Sequence, residues 1–233
     1  MSNITLIMTR TPLEEVNFMH KNGRWGTMIV VKGGKVLSAK YTDIFNLPDL
    51  FSAGPIPGAF GAIANLTSAV MTAGLGKTTF RIGYKGISVD TFGGDVEVIA
   101  RFDTLERFRT GNGGYFCQLK PRPTKPYEIR MDISRNVKGY VDKDKKEHKG
   151  VNNTGQCFRV HGHDTVCSGV NAGILLHEAP HPGWLLGCIA PREINNRIGS
   201  NDKAPSRNAM EGIFNMMGGF SEGKKAELLV MDW

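Results

Sequence analysis

The sequence predicts an α+β fold that is mainly β, built as a compact mixed or antiparallel sheet or a barrel-like core. A few helices and an inserted helical or loop segment complete this prediction. The 233 residues include 29 Gly and 11 Pro, which favours turns and short strands over a helical bundle. Hydrophobic residues make up 40% and charged residues 22%, so the chain can bury a core. Several segments also alternate between apolar and polar residues, which is typical of half-buried strands.

The N-terminal part of the chain is predicted to be a strand meander. Apolar residues alternate over 3–10, and a β-branched run opens the segment 27–41, which a Lys-Gly-Gly-Lys turn interrupts. Further along, residues 59–76 are rich in Ala, Gly, Ser and Thr, which predicts a packed helix with small faces. The chain length predicts a single domain that spans residues 1–233.

The rest of the chain is predicted to alternate between strands and loops and to include a late helix. A clean period-2 pattern places a strand at 126–134, with its apolar residues on one face. Apolar residues at helical spacing predict a helix at 206–217, which two glycines end. Further strands are predicted within 79–102, at 158–160 and at 172–177, and loops at 103–126 and 138–154.

Charge and composition argue against several partners and compartments. The formal net charge of +7 favours anionic partners in general. However, acids interrupt the lysines of 138–149 and no aromatic platform repeats there, so we expect a solvated loop and no nucleic-acid partner. Asn and Thr dilute 59–76 below a convincing membrane span. The start of the chain lacks the pattern of a Sec signal, so we expect synthesis in the cytoplasm without Sec export.

Neither a cofactor nor a disulfide framework is expected. The segment 74–78 lacks the glycine spacing of a phosphate-binding loop. The cysteines, Cys117, Cys157, Cys167 and Cys188, lie far apart without a C-x-x-C pair, which suggests thiols.

Side chains that can build a nucleophilic site are concentrated between residues 157 and 188. A predicted strand delivers His177 at its end, and a loop returns to Gly187 and Cys188. A cysteine is a nucleophile only as the thiolate, and a nearby histidine that accepts its proton populates that form. Gly187 lets the backbone approach a substrate carbonyl, so that amides around Cys188 can donate to an oxyanion. A buried thiol beside a strand-end histidine, without catalysis, also explains these residues.

The stretch from Leu-Leu-His177 to Gly-Cys188-Ile-Ala-Pro191 resembles a known signature. It looks like the His…Gly-Cys-Ile pattern of the DUF5675 group, which is found in phages and bacterial secretion contexts. More distantly, it is similar to the YkuD-type L,D-transpeptidases. The segments 5–10 and 26–30 resemble the first hairpin of the DUF5675 group, whereas residues 45–125 have no counterpart, so the resemblance implies that they are an insertion within the domain. Leu185-Leu186 stand where the transpeptidase pattern has Ser-His, and Ala190 stands where it has Arg.

The resemblance implies a cysteine-dependent enzyme that modifies the stem peptides of peptidoglycan. Cys188 would be the nucleophile, His177 the base, and Gly187 part of the oxyanion loop. The thioester would be resolved by an amine, as in a transpeptidase, or by water, as in a carboxypeptidase or endopeptidase. Without a Sec signal, the resemblance implies delivery by a secretion apparatus, such as type VI secretion, or by a phage-tail carrier. The site of action would be the periplasm or cell wall of a target bacterium, and a toxin would imply a cognate immunity protein.

Four further side chains are candidates for the same site. His163 is a candidate partner that orients the Cys/His pair. Arg192 and Arg207 can hold a substrate carboxylate, because a guanidinium pairs with it bidentately, although solvated arginines explain them equally. Trp184, in the loop between His177 and Cys188, is a lid or stacking wall, or an anchor of its own loop.

Two alternatives belong to other functional classes. The chain can be a non-enzymatic module of a phage tail or secretion apparatus that keeps the fold without catalysis. It can also be a zinc-dependent hydrolase built on His161, His163 and His177, although their spacing matches no paired metal motif. We expect no bound metal in the leading hypothesis.

Overall fold

The protein, as a computed structural model, is described at residues 3–18, 21–41, 67–71, 77–82, 87–109, 119–163, 173–185, 187–196 and 202–232. In these ranges strands dominate, which confirms the prediction of a mainly β, α+β chain. The helices are α1 (Arg135–Lys138) and α2 (Ala204–Met216). The strands are β1 (Asn3–Phe18), β2 (Lys21–Tyr41), β3 (Thr67–Met71), β4 (Lys77–Ile82), β5 (Ile87–Arg109), β6 (Arg122–Ile133), β7 (Gly139–Val141), β8 (Glu147–Lys149), β9 (Gln156–His161), β10 (Leu175–Leu176), β11 (Ile189–Arg192) and β12 (Lys225–Asp232).

Eight of these strands form a closed ring. Their hydrogen-bonded order is β11-β10-β9-β6-β12-β1-β2-β5, and β5 pairs back with β11. The sheet is mixed, because β1 pairs with β12 and β10 with β11 in parallel, while the other ring pairs are antiparallel. Strands β4 and β3 extend the sheet beyond β5. Closure leaves the ring strands paired on both sides.

Buried side chains from all eight ring strands meet in one interior cluster. Leu6, Phe102, Phe158 and Leu228 are among its members, and alternate residues of each strand point into it. One face of α2 packs on the same cluster, because its buried residues recur at helical spacing. Since every ring strand contributes, the cluster fills the inside of the ring.

Along each strand, the residues that alternate with the inward-pointing ones face outward, and they form apolar clusters on the outer face of the ring. One of them, hereafter the outer cluster, is covered by α1 and by the loop that follows β10. Its buried members are Trp25, Leu105, Val137, Cys157, Leu175, Ala179, Leu185, Cys188 and Ala190. Two of the four cysteines therefore lie in the same cluster, on the outside of the sheet.

A buried ion pair joins β1 to β5. Arg10 donates through Nε to Glu106 Oε2 at 2.7 Å and through Nη2 to Oε1 at 2.9 Å. It also donates to the carbonyl of Leu119 at 2.8 Å. Both side chains are only 2% exposed, so the pair is bidentate and almost free of solvent.

Two segments differ from the prediction because strand pairing overrides local sequence pattern. Residues 67–71 form β3, paired with β4, and not part of a helix at 59–76; the other residues of that range lie outside the described residues. The prediction of a loop at 103–126 is wrong at both ends of this range, because β5 continues to Arg109 and β6 begins at Arg122. Strand β5 lies within 45–125, the range interpreted as an insertion, and its residues belong to the ring.

The lysine-rich segment 138–154 contains the hairpin β7–β8 where a loop is predicted. Asp142 Oδ1 accepts from the amides of Asp144 and Lys146, which fixes the turn. The rings of Tyr140 and His148 stack with centroids 4.6 Å apart. The helix predicted at 206–217 is confirmed as α2. In the described ranges, no helix is long and apolar enough to cross a membrane.

Candidate functional site

Two short parallel strands place residues 177 and 188 on the same face of the sheet, as diagonal neighbours and not directly opposite each other. Leu176 of β10 pairs with Ile189 of β11, and the amide of His177 donates to the carbonyl of Ile189 at 3.0 Å. Leu176 and Ile189 point into the interior cluster, so the alternation of a strand directs His177 and Cys188 to the outer face. Diagonal neighbours on adjacent strands are about 7–8 Å apart, which long side chains can bridge.

The imidazole of His177 is buried and held in one tautomer. It is 4% exposed, and its Nδ1 lies 2.8 Å from the carbonyl oxygen of Glu178. Because a carbonyl only accepts, Nδ1 carries the proton and Nε2 of the neutral ring is left as a base. Burial lowers the pKa of His177 to about 4, although the bond to Glu178 opposes this. His177 is therefore neutral at pH 7.

The residue before Cys188 is Gly187, and the backbone conformation at this position favours glycine. Gly187 has a φ of 92°, which residues with a Cβ rarely adopt. Cys188 is 8% exposed within the outer cluster. Trp184, in the 3₁₀ turn Pro182–Trp184, is partly buried and packs on the same cluster. This loop therefore covers the thiol, as a lid or an anchored loop would.

A second thiol lies on the other side of His177. Leu176 pairs with Phe158, and the same antiparallel register continued by one residue places Cys157 beside His177. Cys157 is fully buried and its Sγ donates to the carbonyl of Asp132 at 3.4 Å. Burial, with Asp132 nearby, raises the pKa of Cys157 to about 12. Cys157 therefore stays protonated near neutral pH.

The ring also brings to the site a buried arginine, Arg107, which the sequence analysis does not identify as a candidate. Ile189 pairs with Glu106 of β5, and the register continued by one residue places Arg107 opposite Cys188. Arg107 is 7% exposed, and burial lowers the pKa of its guanidinium. A positive charge beside a thiol favours the thiolate. Only the closure of the ring between β5 and β11 reveals this neighbour.

The two arginines predicted to bind a carboxylate have different environments. Arg192 is 1% exposed and donates to the carbonyls of Ala179 and Pro180, at 2.9 and 3.2 Å, and to that of Asn196 at 3.1 Å. It braces the loop after His177, and its contact with a substrate stays a prediction. Arg207, on α2, is half exposed and lies 3.4 Å from Glu178 Oε2.

His163 lies away from the Cys/His pair. The position beside His177 on β9 is Cys157, and the strand runs on for about 13 Å to His161 before His163 follows. The group in contact with Nδ1 of His177 is the carbonyl of Glu178, and the orienting role of His163 stays a prediction. Across the described residues, no three His, Cys, Asp or Glu side chains gather to hold a metal ion. His161, His163 and His177 therefore do not form the zinc site of the alternative hypothesis.

A polar groove of about 430 Å³ lies between α2 and residues 151–156. Glu178 lines it and is only 4% exposed. Burial raises the pKa of Glu178, while Arg207 and Lys203 oppose the shift. Glu178 follows His177 directly, and that adjacency is the one sequence signal that could have indicated it.

No family model, curated protein or solved structure matches the chain. The chemistry of the site is therefore argued from its own residues. A neutral imidazole with a free Nε2 lies on the same face as a thiol that is mostly buried. A buried guanidinium lies in register with that thiol. This arrangement can accept a thiol proton and stabilise the sulfur anion, as acyl transfer through a thioester requires.

Proposed function

We propose that the protein is a cysteine-dependent acyl-transfer enzyme with Cys188 as nucleophile and His177 as general base. The observation that carries this proposal is the 2.8 Å contact between His177 Nδ1 and the carbonyl of Glu178. A base oriented by a third group, on the same face as a nucleophile, is the arrangement that thiol and serine enzymes share. Gly187 supports the proposal because it lets the backbone approach a substrate at the thiol.

The reaction begins from the neutral pair. As Sγ of Cys188 attacks an amide carbonyl, Nε2 of His177 takes the thiol proton, and the carbonyl oxygen becomes an oxyanion. The amide of Cys188 can donate to this oxyanion, and Arg107 offsets the negative charge on sulfur or oxygen. The protonated His177 then gives its proton to the leaving amine, which leaves a thioester on Cys188. An acceptor amine or water resolves the thioester and restores the thiol.

The substrate class rests on the resemblance of 177–191 to the DUF5675 group and the L,D-transpeptidases. We propose stem peptides of peptidoglycan as substrate and the periplasm or cell wall of a target bacterium as site of action. Delivery by a secretion apparatus or phage tail, and neutralisation by an immunity protein, belong to the same proposal.

Incubation of defined muropeptides with the protein, followed by liquid chromatography and mass spectrometry, tests the proposal. The wild type should convert them, whereas Cys188→Ala and His177→Ala should not. Cys157→Ala is the matched control, because it removes the other thiol of the outer cluster and should remain active. The product masses distinguish exchange with an amine from hydrolysis. Equal activity of wild type and Cys188→Ala would overturn the mechanism.

The low exposure of the pair favours a second candidate, a non-enzymatic module. Cys188 is 8% exposed and His177 is 4% exposed, so both side chains contribute to the packing of the protein. For such a module, neither the wild type nor any variant converts muropeptides, and Cys188 reacts with iodoacetamide equally slowly in wild type and His177→Ala. In the enzyme, removal of the base slows alkylation of Cys188 measurably.

A further inference from the structure

The polar groove between α2 and residues 151–156 contains a buried carboxylate with unused hydrogen-bonding capacity. Glu178 is 4% exposed, and its Oε1 accepts no hydrogen bond of normal geometry. The carboxylate is held only by a long contact, 3.4 Å from its Oε2 to Nε of Arg207, and by the side chain of Asn152, which helps to lower its pKa. A buried carboxylate oxygen without a donor is costly, so this atom is a natural acceptor for a ligand.

The charges that line the groove are balanced, although the chain as a whole carries +7. Glu178 and Glu211 provide two negative charges, and Lys203 and Arg207 provide two positive charges. The carboxylates would repel a polyanion, and the lysine and arginine would repel a simple cation. A ligand that carries both charges avoids both repulsions.

The spacing of the charges limits the ligand further. Glu178 and Arg207 are in contact, so a complementary ligand has its own two charges equally close together. The ammonium and carboxylate of an α-amino acid share one carbon atom and satisfy this condition. Lys203 Nζ donates to the carbonyl of Val151 at 2.8 Å, and an ammonium group has three donors, so it can also reach an anion.

We propose that this groove is a binding site for a free α-amino-acid group, with its ammonium on Glu178 and its carboxylate on Arg207 and Lys203. The half-exposed side chain of Arg207 moves from Glu178 to the ligand carboxylate, where it can bind in bidentate fashion. Asn152, Thr154 and Gln156 line the groove and suit a polar side chain. A volume of about 430 Å³ is ample for such a molecule.

The proposed site is independent of the proposed acyl transfer. His177 points to the outer cluster, whereas the carboxylate of Glu178 points to α2. Binding at the groove can therefore be measured in Cys188→Ala, and its failure would leave the thiol mechanism untouched.

Titration of the ¹⁵N-labelled full-length chain with glutamine, followed by NMR, tests the site. Glutamine should bind with a Kd of about 1 mM or tighter. N-acetylglutamine lacks the ammonium and glutaminamide lacks the carboxylate, so each should bind at least about tenfold more weakly. These matched probes need no mutation and so do not depend on a variant that folds.

Variants then assign each charge. Glu178→Gln should weaken glutamine to the level of N-acetylglutamine, and Arg207→Gln should weaken it to the level of glutaminamide. Arg135→Gln, an arginine on α1 that does not line the groove, should bind as the wild type does. The proposal is overturned if the three probes bind the wild type equally, or if glutamine gives no saturable shift up to about 10 mM.

Discussion

His177 should make the protein lose stability in acid, and His177→Gln should remove that loss. Burial holds the pKa of His177 at about 4 in the folded chain, against 6.5 for an exposed histidine. The unfolded chain therefore binds a proton between these two values that the folded chain does not. The contribution of the neutral ring is complete above pH 6.5 and is lost as the pH falls towards 4.

The size of the effect follows from the difference in pKa. A difference of about 2.5 corresponds to about 3 kcal/mol in the free energy of unfolding between pH 7 and pH 4. About 2 kcal/mol of this is already lost by pH 5, where the chain is easier to study. Other groups titrate in the same range, but they are common to wild type and variant and cancel in the comparison.

Urea unfolding followed by circular dichroism at pH 7 and pH 5 measures the effect. The wild type should lose about 2 kcal/mol more than His177→Gln over this interval. Glutamine can still donate to the carbonyl of Glu178, so the variant changes the titration more than the contact. Cys188→Ala alters the same cluster and keeps the histidine, so it should retain the whole loss. A difference between wild type and His177→Gln below about 0.5 kcal/mol would refute the burial argument.

Three further predictions test the site and the ring. Conversion of muropeptides should persist to about pH 5 and decline near pH 4, as His177 is protonated, whereas a decline centred near pH 6.5 would show an exposed base. Arg192→Met should lower the free energy of unfolding by about 3 kcal/mol, because three backbone carbonyls lose a buried donor; Arg135→Met, at an exposed arginine of α1, should cost less than about 1 kcal/mol in the same urea experiment. Arg10→Met should lower the free energy of unfolding by about 3–5 kcal/mol, because it leaves Glu106 buried and unpaired. The double variant Arg10→Met with Glu106→Leu should recover most of this loss, and a double variant as unstable as Arg10→Met would contradict the argument.

Local sequence patterns predict much of the strand content but not the closure of the ring. The alternation at 126–134 and the helical spacing at 206–217 are visible over a few residues, and both elements form there. By contrast, β5 pairs with β11 at a separation of about 85 residues, and β12 pairs with β1 across almost the whole chain. Nothing within a short window signals such pairings, because the partner strand supplies the hydrogen bonds.

The same distinction between local and distant signals applies to the candidate site. His177 and Cys188 can be proposed from sequence because one loop connects two adjacent strands. Arg107 and Cys157 come from strands that only the sheet brings to that loop. The residue type of Arg192 suggests a carboxylate partner, whereas the structure shows its donors on backbone carbonyls, which the sequence does not indicate.

The low pKa of His177 determines the step of the proposed reaction at which this residue takes up the thiol proton. With a pKa of about 4, the imidazole does not hold the thiol proton at neutral pH in the resting protein. The proton then moves only as the sulfur attacks a bound carbonyl, when the imidazolium gains the new negative charge as a partner. A thiol that is mostly covered is also protected from oxidation, which depends on exposure. Such protection suits a cysteine enzyme that is made in a reducing compartment and acts in an oxidising one, as the proposed delivery to a cell wall requires.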